Sequence, residues 1–88
     1  MEQRDIKKAV VLSYDENDQA PAIVAKGEGY VAQRIIDIAA SGGIPLVRSP
    51  EQVDALSRVE IGEYIPPELY QAVAEIYAFL MRVDVDIS

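Results

Sequence analysis

Pro21-Ala22-Ile23-Val24-Ala25-Lys26-Gly27-Glu28-Gly29 is the stretch that decides the fold. Ala22 to Lys26 reads as a short apolar strand, of the kind buried on both faces. It runs straight into a glycine turn and then a helix. Upstream, Lys8 to Tyr14 reads as a strand, with Val10 and Leu12 on one face and Ala9, Val11 and Ser13 on the other. Asp15-Glu16-Asn17-Asp18-Gln19 between them is turn chemistry, because Asp and Asn side chains bond nearby backbone amides. The two strands form an antiparallel hairpin with a long loop.

Downstream, Glu28 to Ala40 reads as a helix. Val31, Ile35, Ile38 and Ala39 fall on one face, which Ala32 and Ile36 widen. Ser41-Gly42-Gly43 ends it. Ile44 to Arg48 reads as a third strand, parallel to the second through a right-handed crossover. Ser49-Pro50-Glu51-Gln52 starts a short helix, with Ser49 as cap, Pro50 at the first position and Gln52 completing a capping box. It ends near Arg58 and buries Val53 and Leu56. Pro66-Pro67 opens a last helix running to about Arg82, with Leu69, Val73, Ile76, Tyr77 and Leu80 as its apolar stripe. Asp84 to Ser88 reads as a frayed acidic tail, or as an added edge strand. The fold class is α/β: a small mixed β-sheet of three or four strands with three helices packed around it. It is one domain over residues 8–83, preceded by a polar segment at 1–7 and followed by the tail at 84–88.

Composition narrows the function. Half of the 88 residues are hydrophobic, enough for a core. No apolar run approaches the roughly 18 residues of a membrane span, and Met1 to Lys8 has no apolar signal core. The expectation is a soluble, cytoplasmic protein without direct membrane insertion. Cysteine and histidine are absent, which removes thiol chemistry, the commonest general base and the commonest metal ligand. A net charge of −7 with scattered cations argues against nucleic acid as a partner. No cofactor, metal or catalytic residue is expected.

The Gly27-Glu28-Gly29 turn invites a different reading. A glycine turn before a helix can offer amides to a phosphate. The third fingerprint glycine is replaced by Ala32, which that fingerprint tolerates, but no Lys-Ser or Lys-Thr follows, and Glu28 would face the ligand. The plainer account is a tight turn that lets helix and strand approach closely. Asp15 to Lys26 fails as a calcium loop, with Ala20 where glycine is needed and Lys26 where a glutamate is needed. Tyr64, Tyr70 and Tyr77 read as packing residues.

The blocks Ala9-Val10-Val11-Leu12-Ser13-Tyr14-Asp15, Pro21 to Gly29, and Ile65-Pro66-Pro67-Glu68-Leu69-Tyr70 through Glu75 resemble, in order and spacing, the C-terminal cytoplasmic domain of the FlhB/YscU family. These are substrate-specificity switch proteins of flagellar and type III secretion export. The resemblance runs from about Arg4 to Val83. It implies a non-enzymatic, cytoplasmic role in protein export through protein–protein contacts. In the family an Asn-Pro-Thr-His tetrapeptide precedes the Ala-Val-x-Leu/Ile-x-Tyr strand, and its asparagine cuts the chain before the proline. Here Arg4, Asp5, Ile6 and Lys7 occupy those positions and none matches, so no self-cleavage is expected. The resemblance also leaves the family's membrane helices and its strand before the cleavage site without counterparts, so the chain reads as a stand-alone homologue. The Lys8–Tyr14 strand should then have an unpaired edge. Such edges are templates for another chain. Lys8, Val10 and Leu12 are the candidate contacts with an export-gate membrane protein or another export component, and the resemblance adds Lys26. A cover supplied by Glu2–Lys7 or by a symmetric partner is the alternative, since Lys7 and Lys8 are residues that protect edges. A small-molecule or anion-binding domain built on the Gly27-Glu28-Gly29 turn is the rival function.

Overall fold

The computed structural model describes residues 7–87, and the side chains of residues 7–80. Two strands, β1 (Lys8–Ser13) and β2 (Ala22–Glu28), form the expected antiparallel hairpin. The loop is built as its composition dictates: Asp18 donates its amide to the Asp15 carbonyl, and the Asp18 carboxylate accepts the Asp15 amide. Helix α1 (Tyr30–Ser41) follows β2, then α2 (Pro50–Leu56), a 3-10 turn at Pro67–Leu69, and α3 (Tyr70–Ile87).

The hairpin register contains one irregularity. Val11 lies opposite Ala25 and Leu12 opposite Ile23, so Val24 is an extra residue, a β-bulge. Val24 is 48 % exposed. The bulge shifts the side-chain alternation, so Ile23 and Lys26 face the same side as Leu12 and Val10. On that side Ile23, Leu56, Val59, Ile65 and Val73 form the core, with Val10, Leu12, Leu69, Ile76 and Tyr77 packed against it. On the other side α1 covers the sheet with Ala32 and Ala39 buried. The hairpin is thus sandwiched between α1 and the α2–α3 pair. Val31 and Ile38, expected on the inner face of α1, lie at its margin and are more than half exposed.

The α1 contact is close because Gly27 has no side chain. A Cβ there would sit 2.4 Å from Val31 Cγ1 and 3.2 Å from Ile35 Cδ1. Gly29, with φ 61°, then turns the chain into the helix in a conformation most residues avoid.

The expected third strand is a correction. Ile44 to Arg48 pairs with no strand among the described residues. Pro45 has no N–H to give a ladder, the Ile44 amide closes the end of α1 on the Ala39 carbonyl, and Ile44 and Leu46 are both about half exposed. The outer side of β2 is instead met antiparallel by a segment at 62–65. Gly62 donates to the Ile23 carbonyl at 2.7 Å, Ile23 to Glu63 at 3.1 Å, and Ile65 to Pro21 at 2.8 Å, with a bridge between Ala22 and Tyr64. Among the described residues the crossover parallel sheet is therefore absent, and the sheet is a two-stranded one extended by that bridge.

Two smaller expectations also change. Ser49 stands at the start of α2, but its hydroxyl makes no capping bond, and Gln52 donates to Glu75 of α3 at 2.7 Å instead of closing a capping box. Residues 84–87, expected as a tail or strand, continue α3 as helix to Ile87. No glycine or proline interrupts the chain there.

Gly27→Ala is expected to lower stability by about 1–3 kcal/mol, because a stiff β-branched side chain already fills the space. Urea unfolding measures the loss, and Val31→Ala in the same chain should recover part of it.

Candidate docking surface

The phase of the β1–β2 ladder decides which backbone groups point outward. Gly29 donates to the Lys7 carbonyl at 2.7 Å, which makes Lys7, Ala9 and Val11 the residues bonded inward to β2. Opposite Leu12, Ile23 turns both its amide and its carbonyl away, toward Glu63 and Gly62. Lys8, Val10 and Leu12 therefore present N–H and C=O on the outer edge of β1. Among the described residues no backbone group pairs with that edge.

The side chains of these three residues are engaged inside the domain. Val10 and Leu12 are half-buried against the core. Lys8 Nζ meets Asp54 Oδ1 at 2.6 Å, and Arg58 adds a looser contact to the same carboxylate at 3.8 Å. The hydrogen bond and the charge of Asp54 push the Lys8 ammonium above its ordinary value, and Lys8 in turn holds Asp54 below its own. The pair is open to solvent, so it orients α2 more than it stabilises the fold. What the edge offers a partner is main chain.

Lys26 is placed differently from a contact residue. Its part-buried ammonium donates to the Ser57 carbonyl at 2.9 Å and the Val59 carbonyl at 2.7 Å. These carbonyls lie just past the end of α2, where a cation is favoured. Of the cleavage-motif positions, Arg4, Asp5 and Ile6 lie outside the described residues. Lys7 begins the ladder, and its ammonium contacts Gln33 Oε1 at 2.6 Å.

The Gly27-Glu28-Gly29 turn is accounted for by packing. Gly27 admits Val31, and the Gly29 amide, the group an anion would need, is bonded to Lys7. No ligand geometry supports the anion reading.

Two grooves were not foreseen in the sequence. One, of about 240 Å³, lies between the hairpin loop and α3 and is lined by Tyr14, Gln19, Ala20, Pro21, Tyr70, Val73, Ala74 and Tyr77. The Tyr14 and Tyr77 rings are 6.4 Å apart and tilted by 41°. The spacing of Tyr70, Val73 and Tyr77 along one helix face was visible, but only the fold brings Tyr14 to it. The other, of about 310 Å³, runs along α3 beneath residues 46–49, with Leu46, Gln52, Ile76 and Phe79 on its walls. The first holds tyrosines at its rim rather than in the core: Tyr14 and Tyr70 are exposed and Tyr77 half-buried.

A two-stranded hairpin between one helix and a helix pair defines a small α/β domain, and the described residues hold no cluster of metal-ligating side chains. Residues 6–80 match the model of the FlhB HrpN YscU SpaS family, and the chain belongs to that family of export switch proteins. It is 51% identical over 75 residues to the flagellar biosynthetic protein FlhB of Aquifex aeolicus (strain VF5), covering 83% of this chain and 21% of that protein. It is 40% identical over 84 residues to the uncharacterized protein YlqH of Bacillus subtilis (strain 168), covering 94% of this chain and 90% of the relative. The chain thus spans about a fifth of FlhB but nearly all of YlqH. Among solved structures, the PscU C-terminal domain superposes with a TM-score of 0.79 at 31% identity, covering 83% of this chain and 95% of that one. A mutated EscU C-terminal domain shares the fold, with a TM-score of 0.78 over 85% of this chain and 93% of its own, at 22% identity.

Two predictions follow from these contacts. Lys26→Met leaves two carbonyls without their cation and should cost about 1–3 kcal/mol in urea unfolding; unchanged stability would leave Lys26 available as a contact residue. Burial, with Tyr14 adding in the same direction, pushes the Tyr77 hydroxyl above its ordinary value. The unfolded chain then gives up this proton first, so the stability present below about pH 10 declines as pH rises past it. Tyr77→Phe should flatten that alkaline decline in urea midpoints taken from neutral to high pH.

Proposed function

We propose that this chain is a cytoplasmic, non-cleaving component of a flagellar or type III protein export apparatus that acts by docking. Its partner is the N-terminal half of a full-length export-gate protein of the same family. The contact is strand addition at the outer edge of β1, by which the chain stands in for that protein's C-terminal half or competes with it.

The observation that carries the reading is the ladder phase: Lys8, Val10 and Leu12 aim both backbone groups outward on an edge that no described residue covers. Family membership supports the apparatus, and the length match to YlqH supports a small protein of this kind acting as a separate chain. No helix among the described residues is long and apolar enough to cross a membrane. The absence of Asn-Pro-Thr-His at Arg4 to Lys7 supports the non-cleaving part of the proposal.

Secretion by cells whose export-gate protein stops at its cleavage position tests the whole reading. Supplying this chain separately should restore export. Val10→Pro removes an outward amide without touching the bonds to β2, so it should stay folded by circular dichroism and lose restoration. Restoration by a folded Val10→Pro chain would remove the strand-addition step. The intact mass of the purified chain should show no cut between Arg4 and Asp5.

A further inference from the structure

We propose that the chain also covers its docking edge with a second copy of itself, through antiparallel β1–β1 pairing about a twofold axis at Val10. This deepens the docking reading, since self-pairing and the export partner would compete for one edge.

The geometry comes from the same phase. In an antiparallel pair, residues that face each other with both backbone groups exchange two hydrogen bonds. With Val10 opposite its own copy, Lys8 of each chain falls opposite Leu12 of the other. All the outward residues of β1 are then matched, with none left over. Shifting the register by two residues in either direction leaves one of them without a partner on each chain. The sheet becomes four strands wide, and a twofold axis perpendicular to it keeps the two α1 helices on one face. On the opposite face the Lys8 stem lies beside Leu12 of the second copy, while its charge is already satisfied by Asp54. The lysine that would ordinarily discourage pairing is thus neutralised within its own domain.

The charge pattern along β1 favours the antiparallel over the parallel orientation, against the general repulsion between two chains of net charge −7. β1 starts on a basic end, Lys7-Lys8, and leads into an acidic one, Asp15-Glu16 and Asp18. Antiparallel pairing sets each basic end against the other chain's acidic end. Lys7 comes opposite Ser13, with Asp15 two residues further along the chain at the start of the turn. Lys7 is exposed and bonded to the half-buried Gln33, and Asp15 is exposed with no ion pair among the described residues. Parallel pairing would instead place like charges together at both ends.

Sedimentation equilibrium of the purified full chain reads the association directly. A monomer–dimer equilibrium is expected. Val10→Pro should be monomeric and folded. Lys7→Glu and Asp15→Lys should each raise the dimer Kd by roughly 2- to 10-fold, and the double reversal should bring it back. The charge variants keep the test decisive if the proline variant does not fold. A chain that stays monomeric up to millimolar concentration overturns the proposal. So does a dimer indifferent to the charge variants. The two readings part cleanly when the N-terminal half of an export-gate protein is added. A monomer that binds it leaves docking standing without self-pairing, and a dimer that ignores it leaves self-pairing standing without docking.

Discussion

The register between β1 and β2 is the constraint on which the remaining structure depends. Side chains on a strand alternate with a period of two, so a slip of one residue exchanges the two faces. Here the register is broken once, at Val24, and that break places two different requirements on one strand. Ahead of the bulge, Ile23 points into the core and reaches full burial. Behind it, Lys26 faces the same way and ties down the end of α2, while Gly27 faces the other way and admits α1. Without the extra residue, Ile23 and Gly27 would share a face. The hydrophobic core and the glycine contact would then compete for one layer.

The same register makes the edge. Inward bonding at Lys7, Ala9 and Val11 leaves the intervening residues facing out, so the open edge is a by-product of how the hairpin closes. A domain of this size buries only about 60% of its unfolded surface and has little core in reserve. Among the described residues its buried set is four alanines plus Ile23, Leu56, Ile65, Val59 and Val73, while tyrosines and Phe79 stay in contact with solvent. Apolar surface on such a scaffold is spread over α1, α3 and the 44–46 segment rather than gathered into one enclosed cavity.

Much of this was legible in the residues. The hairpin, its Asp-rich turn, and helices α1, α2 and α3 follow from alternation, helical spacing and proline or glycine punctuation. The family resemblance followed from the three blocks. What misled was Ile44 to Arg48. Its β-branched and apolar composition satisfies a strand pattern, but Pro45 and the capture of the Ile44 amide by α1 deny it a ladder. Its place beside β2 is taken by residues 62–65, whose Gly-Glu-Tyr sequence carries no strand signal because the pairing is fixed by tertiary position. The bulge was equally invisible, since Ile23, Val24 and Ala25 are all apolar and only the partner strand reveals which one is extra. Lys26 shows the limit from the other side. The resemblance offers it as a contact residue, and the two carbonyls that hold its ammonium lie more than thirty residues away in sequence.

The docking proposed for this chain calls for no reactive side chain. Its polar side chains of consequence are spent on holding elements in place: Lys8 on α2 through Asp54, Lys26 on the carbonyls after α2, and Gln52 on α3 through Glu75. Each joins a segment to its neighbour across the face of the sheet opposite α1. Main-chain recognition at β1 requires only that the strand be straight, in phase and held from behind, and these contacts supply the backing. Specificity must then come from what flanks the edge. The basic start and acidic end of β1 give it a direction that an added strand has to match.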